Sequence, residues 1–569
     1  MTERSIKQIK EERGIVLILS LLVMVILSVL TLGFLTIAKT EATIASNFRN
    51  HTQAFYAAEA GVESAVANLR TLLGSSASPT DAQLGAIVPP ALTDPNYTFA
   101  TFQIRRVRPT PPYAYPTVVP SGPYQGLSAL ATDYQISTEV RGPRGSRAQL
   151  NQRVQQLQIP LFQFGVFYGR GVDLEIAPGP PMTFNGRVHA NSNIYVRNSS
   201  SRFDSFMTTA GSIYRYVKRS PSTRGSNPPI KDGGGTYRTL NFDHEYDQDF
   251  HNPWTAQDWT SAALNTFGGL VLDAAMGVQE IVPPVPAAFY DPDNPDVSAH
   301  LMIEKGSPLD SPELQAAKLY YQADLRILNT TGNAKDTNGR PVKLLPGVIT
   351  PKTFYDRREE ANILVIEVDI GALVASGKAP ANGILYVAHN GIYKGVRLVN
   401  GSQLPPGGLT VVSENPVYIQ GDYNTVNKVP AAVLADAVTV LSNNWGKKMY
   451  DQKGRRRTWR RPAADTTVNA AFALGPNAES DVGRGNGQLE NVIRFLEDWN
   501  GKTFTYNGSI VALWHSQQAV ANWRCCGSSG DNYYRPPKRN WAYDPLFNTQ
   551  LPPGTPVGIV NTRGQWSQG

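Results

Sequence analysis

The densest chemistry in the chain is a basic run: Lys447, Lys448, Lys453, Arg455, Arg456, Arg457, Arg460 and Arg461, with Tyr450 and Trp459 interleaved. Set against Asp451, these eight cations leave +7, the net charge of the whole 569-residue chain, so the other residues sum to zero. Such a run can neutralise several phosphates while its rings stack on bases. It is a candidate contact for DNA, lipopolysaccharide or another anionic polysaccharide, or anionic lipid. A solvated loop between two β segments accounts for the same residues.

Other reactive side chains group less tellingly. Asp243, His244, Glu245, Asp247, Asp249 and His251 fall within nine residues, and Asp291, Asp293, Asn294 and Asp296 form an acidic loop that could offer oxygens to Ca²⁺. Neither matches an EF-hand or an H-E-x-x-H helix, and solvated loops explain both. Gly501-Lys502-Thr503 resembles the end of a P-loop, but the glycine that the motif requires five residues before Gly501 is Leu496, so the lysine has no phosphate cradle. The chain has no G-x-S-x-G elbow, and among its seven histidines His189 and His389 each lie near a Gly or Asn turn beside a strand. The residues assign no catalytic group and no cofactor, and the expectation is a non-enzymatic protein. Its two cysteines, Cys525 and Cys526, are adjacent; they are either two thiols or a vicinal disulfide closed through a strained ring.

The elements that position these groups begin with a long helix. No charge interrupts residues 14 to 38, and 24 residues at ~1.5 Å per residue reach about 36 Å, enough to cross a ~30 Å hydrocarbon layer. Arg4, Lys7, Lys10 and Arg13 precede the run and Lys39 follows it. That asymmetry predicts a cytoplasmic N-terminus, a single membrane span and an extracytoplasmic remainder. A cleaved signal peptide is the alternative, but its apolar core is about 7 to 15 residues long and ends at a small-residue site. Beyond Lys39 the apolar positions become a stripe, Ile44, Phe48, Phe55, Val62 and Leu69, with Ala58, Ala65 and Leu72 between, which predicts one amphipathic helix running on to residue 73.

Arg13-Gly14-Ile15-Val16-Leu17 ahead of that apolar run, then Asn47-Phe48-Arg49 and Gln53-Ala54-Phe55-Tyr56-Ala57-Ala58-Glu59-Ala60-Gly61, resembles the N-terminal region of PilX-type minor pilins of the type IV pilus. The resemblance covers about an eighth of the chain. It implies a leader of residues 1–14, removed after Gly14 by a prepilin peptidase that also methylates the new N-terminus at Ile15. It further implies other pilins and minor pilins as partners, and work in pilus assembly, initiation, adhesion or surface contact. One position departs from the major-pilin pattern: the fifth residue of the mature chain is Leu19 where a glutamate would pair with a neighbour's terminal amine. A bare ammonium in lipid is costly, so the resemblance implies a tip or initiation position. The alternative is a module that stays in the inner membrane and captures DNA or anionic polysaccharide through the basic run.

High glycine (49) and proline (42) favour turn-rich β structure after the helix. An alternating segment from Tyr97 and a hairpin, Tyr134 to Val140 and Ala148 to Ile159 about Gly142-Pro143-Arg144-Gly145, predict an antiparallel sheet over 75–164 that covers the helix. From 165 to 569 the strands are short, punctuated by Gly or Asn, and several are apolar throughout, as in Gly408-Leu-Thr-Val-Val and Ala437-Val-Thr-Val-Leu. The expected class is α+β, with a β-solenoid head or, equally consistent with the residues, a β-sandwich. An inserted mixed segment is expected at about 197–380, with helices near Pro253 to Leu264, Pro312 to Leu325 and, further on, Leu489 to Trp499.

Overall fold

A single unbroken helix, Glu3–Ser75, opens the structure, as the absence of proline and the change from apolar run to stripe require. The structure, a computed structural model, describes residues 3–75, 78–122, 124–176, 181–224, 227–246, 254–329, 334–446, 461–478, 489–523, 525 and 532–568. The chain divides into two compact units: Met1–Ala114 with Thr132–Gln156 and Asn561–Gly569, and Tyr115–Ala131 with Leu157–Val560. The boundary departs from the expected 75–164 block. Residues 115–131 belong to the large unit, and a distant segment returns to the small one.

The small unit holds Thr98–Arg106 and most of Ser128–Arg141, Arg147–Pro160 and Val557–Gln568, which lie side by side in that order in one sheet. Its first pair is in register from Phe102↔Thr138 to Arg106↔Tyr134. Strand residues alternate between buried and accessible, the signature of a sheet with one covered face. Ile104, Tyr134, Ile136, Val140, Leu150 and Val154 form that face and close on the helix. The fourth strand was not expected, because its residues (Val-Gly-Ile-Val-Asn-Thr-Arg-Gly) carry a weak alternation and lie some 400 positions from their neighbour.

The large unit is built from parallel ladders. Its twelve-stranded sheet carries an unbroken inner row: Leu325, Leu385, Val411, Val433, Phe472, Ile510, Val166, Val188, Met207 and Val271 stand in register, one per strand. All ten are buried in one core. The alternate positions Tyr386, Val412, Leu434, Ala473, Val511 and Phe167 line the opposite face and are buried in a second core. That core includes Val285, Phe289, Met302, Ile303 and Leu319 from the stretch between the strands Val271–Leu272 and Leu325–Ile327. Ala431–Ala435 is buried at all five positions for this reason: the sheet is covered on both sides, so its strands read as continuous apolar runs.

Two more parallel stacks, Val417–Gln420 with Val438–Leu441 and Thr466–Asn469 with Thr503–Gly508, flank the large sheet in sequence. At one corner Asn424, Asn469 and Asn507 bond rung to rung, Asn424 Nδ2 to the Asn469 carbonyl at 2.9 Å and Asn507 Nδ2 to Asn469 Oδ1 at 2.7 Å. Such stacked amides satisfy backbone and side chain together where the chain turns. Three ladders end in antiparallel strands: Ala334–Lys335 with Pro341–Val342, Ile349–Asp356, and Tyr237–Thr239. An edge finished this way no longer offers a parallel template to another chain.

Parallel pairing is not the arrangement of an antiparallel sandwich. Nor is 197–380 one insert: Arg202–Phe203, Met207–Thr209 and Val271–Leu272 are ladder strands. Helices occur at Ala256–Phe267 and Pro312–Ala317. Leu489–Val492 is helical for one turn only, and Ile493–Phe495 is a strand, because pairing with Val438–Leu441 outweighs the helical pattern of the residues.

Candidate functional site

The long helix is the site that the sequence singles out, and it behaves differently along its length. Every residue from 14 to 45 is exposed, with Ile15 at 65% and Phe34 at 69%. A surface of that apolar extent is stable only in lipid or in a bundle of like helices. The hydroxyls within it donate to their own helix: Ser20 to Leu17 O, Ser28 to Met24 O, Thr31 to Leu27 O, and Thr36 to Leu32 O, all at 2.7–2.8 Å. Water is therefore not needed to satisfy them.

The outer half buries a different face. Ala54, Ala58, Val62, Ala65, Val66, Leu69 and Leu73 form the stripe against the sheet. The small residues let the sheet approach: a Cβ on Gly61 would sit 2.5 Å from the Phe99 ring, so the last residue of Ala58-Glu59-Ala60-Gly61 is fixed by packing. Thr138 Oγ1 donates to the Ala58 carbonyl at 3.1 Å and Tyr97 OH to Gln53 Oε1 at 2.9 Å. Arg563 makes a two-pronged contact with Glu63, both at 2.6 Å, and holds that carboxyl below its usual range. Ile44 and Phe48 do not join the stripe. They are 63% and 75% exposed, because from residue 14 onward the covered face begins only at Asn50.

Of the basic run, Lys447, Lys448, Lys453, Arg455, Arg456, Arg457, Trp459 and Arg460 lie outside the described residues. Arg461 is described, with its guanidinium 4.1 Å over the Trp445 ring. Nearby, Glu497 is wholly buried and burial pushes it up to about 7, even though it accepts from the Ser442 N–H at 2.6 Å and hydroxyl at 2.8 Å. Cys525 is disulfide-bonded, and Cys526 lies outside the described residues.

The acidic groups are occupied by the fold. Asp243 accepts from Arg224 at 2.6 Å and from the backbone of Arg215, Glu245 and Tyr246. Glu245 meets Arg224, and His244 faces Asp273 at 3.3 Å. Asp247, Asp249 and His251 lie outside the described residues. Asp291 caps its own turn through the Asp293 N–H, and Asp296 pairs with His515. Among the described residues, no group of three or more His, Cys, Asp or Glu is placed to hold a metal.

His189 is a ladder residue. It stands in register between Phe167 and Thr208, stacks on the Phe167 ring at 5.6 Å, and bonds Thr208 and Asn191. Burial pulls its pKa down to about 4, so it stays neutral. His389 bonds the Asn390 carbonyl at 3.0 Å. Gly501, at φ +71°, turns the chain into Thr503–Gly508.

Residues 13–63 match the PilX N-terminal family model. The chain carries a PilX-type N-terminal region. That region spans both the exposed apolar stretch and the first half of the buried stripe. No curated protein matches the chain. Among solved structures, the competence-associated pilin ComZ from Thermus thermophilus aligns over 91% of this chain and 98% of its own, at 12% identity and a TM-score of 0.28. A superposition that loose carries no argument about the head.

Proposed function

We propose that this is a minor pilin of a type IV pilus or a related assembly, a structural protein with no catalytic role. One observation carries the reading: a single PilX-type helix exposes an apolar surface over residues 14–38 and buries its outer half against its own sheet. A helix of that kind can stand in a membrane and then move into a bundle of like helices, with the sheet carried along. Gly14 and Ile15 are the proposed processing and methylation pair, with a prepilin peptidase as the processing partner. Leu19 in place of an acidic residue favours a tip or initiation position, and pilus assembly, adhesion or surface contact as the role. The parallel ladders of the large unit fit a β-solenoid, with the antiparallel strands at their ends acting as caps.

Mass spectrometry of the native protein tests this. Mature chains are expected to begin at N-methylated Ile15 and to be recovered with sheared surface filaments. Native chains beginning at Met1 or beyond Ala38 would overturn the reading.

A further inference from the structure

We infer that the large unit is a pair of half-stacks that open and close about a hinge, the strand pair Val166–Tyr168 and Ile510–Ala512. The path of the chain sets this up. From Val166–Tyr168 the main sheet runs through Val188–Ala190 and Met207–Thr209 to Val271–Leu272; the chain then crosses to Leu325–Ile327 and winds back through Ile384–Val387, Leu409–Ser413, Ala431–Ala435 and Ala471–Leu474 to Ile510–Ala512. The last of these strands closes on the first, so the stack carries an internal seam.

Within each half, successive turns are also bonded away from the main sheet. In the later half Val438–Leu441 pairs with Ile493–Phe495, and Thr503–Gly508 with Lys538–Tyr543; in the earlier half Leu174–Ile176 pairs with Ile194–Val196, and Thr183–Phe184 with Arg202–Phe203. At the seam these outer ladders stop. Ile493–Phe495, Leu174–Ile176, Lys538–Tyr543 and Thr183–Phe184 are each the edge of a sheet. Among the described residues, the main sheet alone carries its ladder across, with the Ile510 N–H donating to Gly165 O at 3.0 Å and the Gly169 N–H to Ala512 O at 2.8 Å. A joint laddered on one face and not on the others turns about the laddered one.

The hinge is backed, and the side away from it is lightly latched. On the second face of the main sheet the stretch 281–303 straps the seam. Ile281 and Asn191 exchange hydrogen bonds at 2.8 and 2.9 Å on the earlier half, while on the later half the Ile303 carbonyl accepts from Tyr386 OH at 3.0 Å and Asp296 from the His515 N–H at 2.7 Å. Away from the strap, the two edges meet at an exposed side chain, where Asn185 Oδ1 accepts from the Tyr543 N–H at 2.6 Å. Closure also keeps polar groups from water. Tyr168, in the hinge, is fully buried and its hydroxyl has no partner; Arg539, in the edge strand Lys538–Tyr543, is 7% exposed. Burial disfavours both, so parting the halves recovers some of what it loses in packing.

The proposal is independent of how the long helix is used, so its test needs no filament. The purified full-length chain in detergent micelles is spin-labelled at Thr183→Cys and Asn540→Cys, exposed positions on opposite sides of the seam, and the distance distribution is read by double electron–electron resonance. Lys502→Cys with Asn540→Cys, both in the later half, is the control pair, and the unsubstituted chain is the label blank. Two distances are expected for the seam pair and one for the control. Asn185→Ala, which removes the latch, should enlarge the longer-distance population about fivefold, and Tyr168→Phe, which removes the buried hydroxyl, should shrink it by a similar factor. A single distance for the seam pair both with and without Asn185→Ala, equal broadening of the control pair, or a longer-distance population that grows in Tyr168→Phe would each overturn it.

Discussion

The two units solve the same problem, covering a sheet, in opposite ways. The small unit leaves one face of an antiparallel sheet to solvent and lays a helix on the other, so its sequence alternates and its helix is small-residue-rich where the sheet approaches. The large unit buries both faces of a parallel sheet, and its strands lose alternation altogether. A continuous apolar stretch in this protein therefore has two meanings. Over residues 14–38 it marks exposure to lipid or to like helices, and over 431–435 it marks burial between two cores.

The largest effect expected to sharpen this contrast is in the ladder. Phe472→Ala removes a fully buried ring between Val433 and Ile510 and should cost about 3–5 kcal/mol in urea unfolding; a loss under about 1 kcal/mol would mean that the two-core description is wrong. Next comes the helix, where Gly61→Val meets the Phe99 ring and should cost about 1–3 kcal/mol. Gly33→Val, with nothing within 4 Å, should leave the melting temperature unchanged. Equal effects at the two glycines would erase the distinction between the halves of the helix.

A smaller effect depends on pH. Glu497 has its pKa raised by burial from 4.5 to about 7, so the unfolded chain releases this proton before the folded one does. The stability it contributes is present below about pH 4.5 and is lost as pH rises through about 7. Glu497→Gln should raise the melting temperature at pH 8 and change it little at pH 4.5. The same shift at both values would place the carboxyl in water. Smallest of all is Arg563→Ala: the pair with Glu63 is 40% and 53% exposed, so about 1 kcal/mol or less is expected, diminishing in high salt.

Local features were legible in the residues. The helix, the hairpin about residues 142–145 and most short strands follow from periodicity and turn residues, because each is set by neighbours a few positions away. Strand order did not follow. Ile510 pairs with Val166 and the strand Val557–Gln568 joins the sheet of the small unit, pairings that no local pattern encodes. The stripe was half legible: its period is visible from Ile44, but where the sheet begins to cover it is a tertiary matter. His189 looked like a turn histidine, and only the register reveals a ring stacked in an aromatic row. The surface depression lined by Glu304, Glu414 and Gln517 was not legible, since its residues are drawn from a span of more than 200 positions.

The joint between Ile510 and Val166 has a consequence for biogenesis. The first strand of the large sheet waits on one side for a neighbour made roughly 340 residues later, so during translation that hydrogen-bonding edge is left without a mate. A chain stalled or clipped in that interval would present a sticky, half-finished sheet. Quality control of this protein is therefore expected to act on nascent material, and a holding chaperone would bind strand 166–168 first.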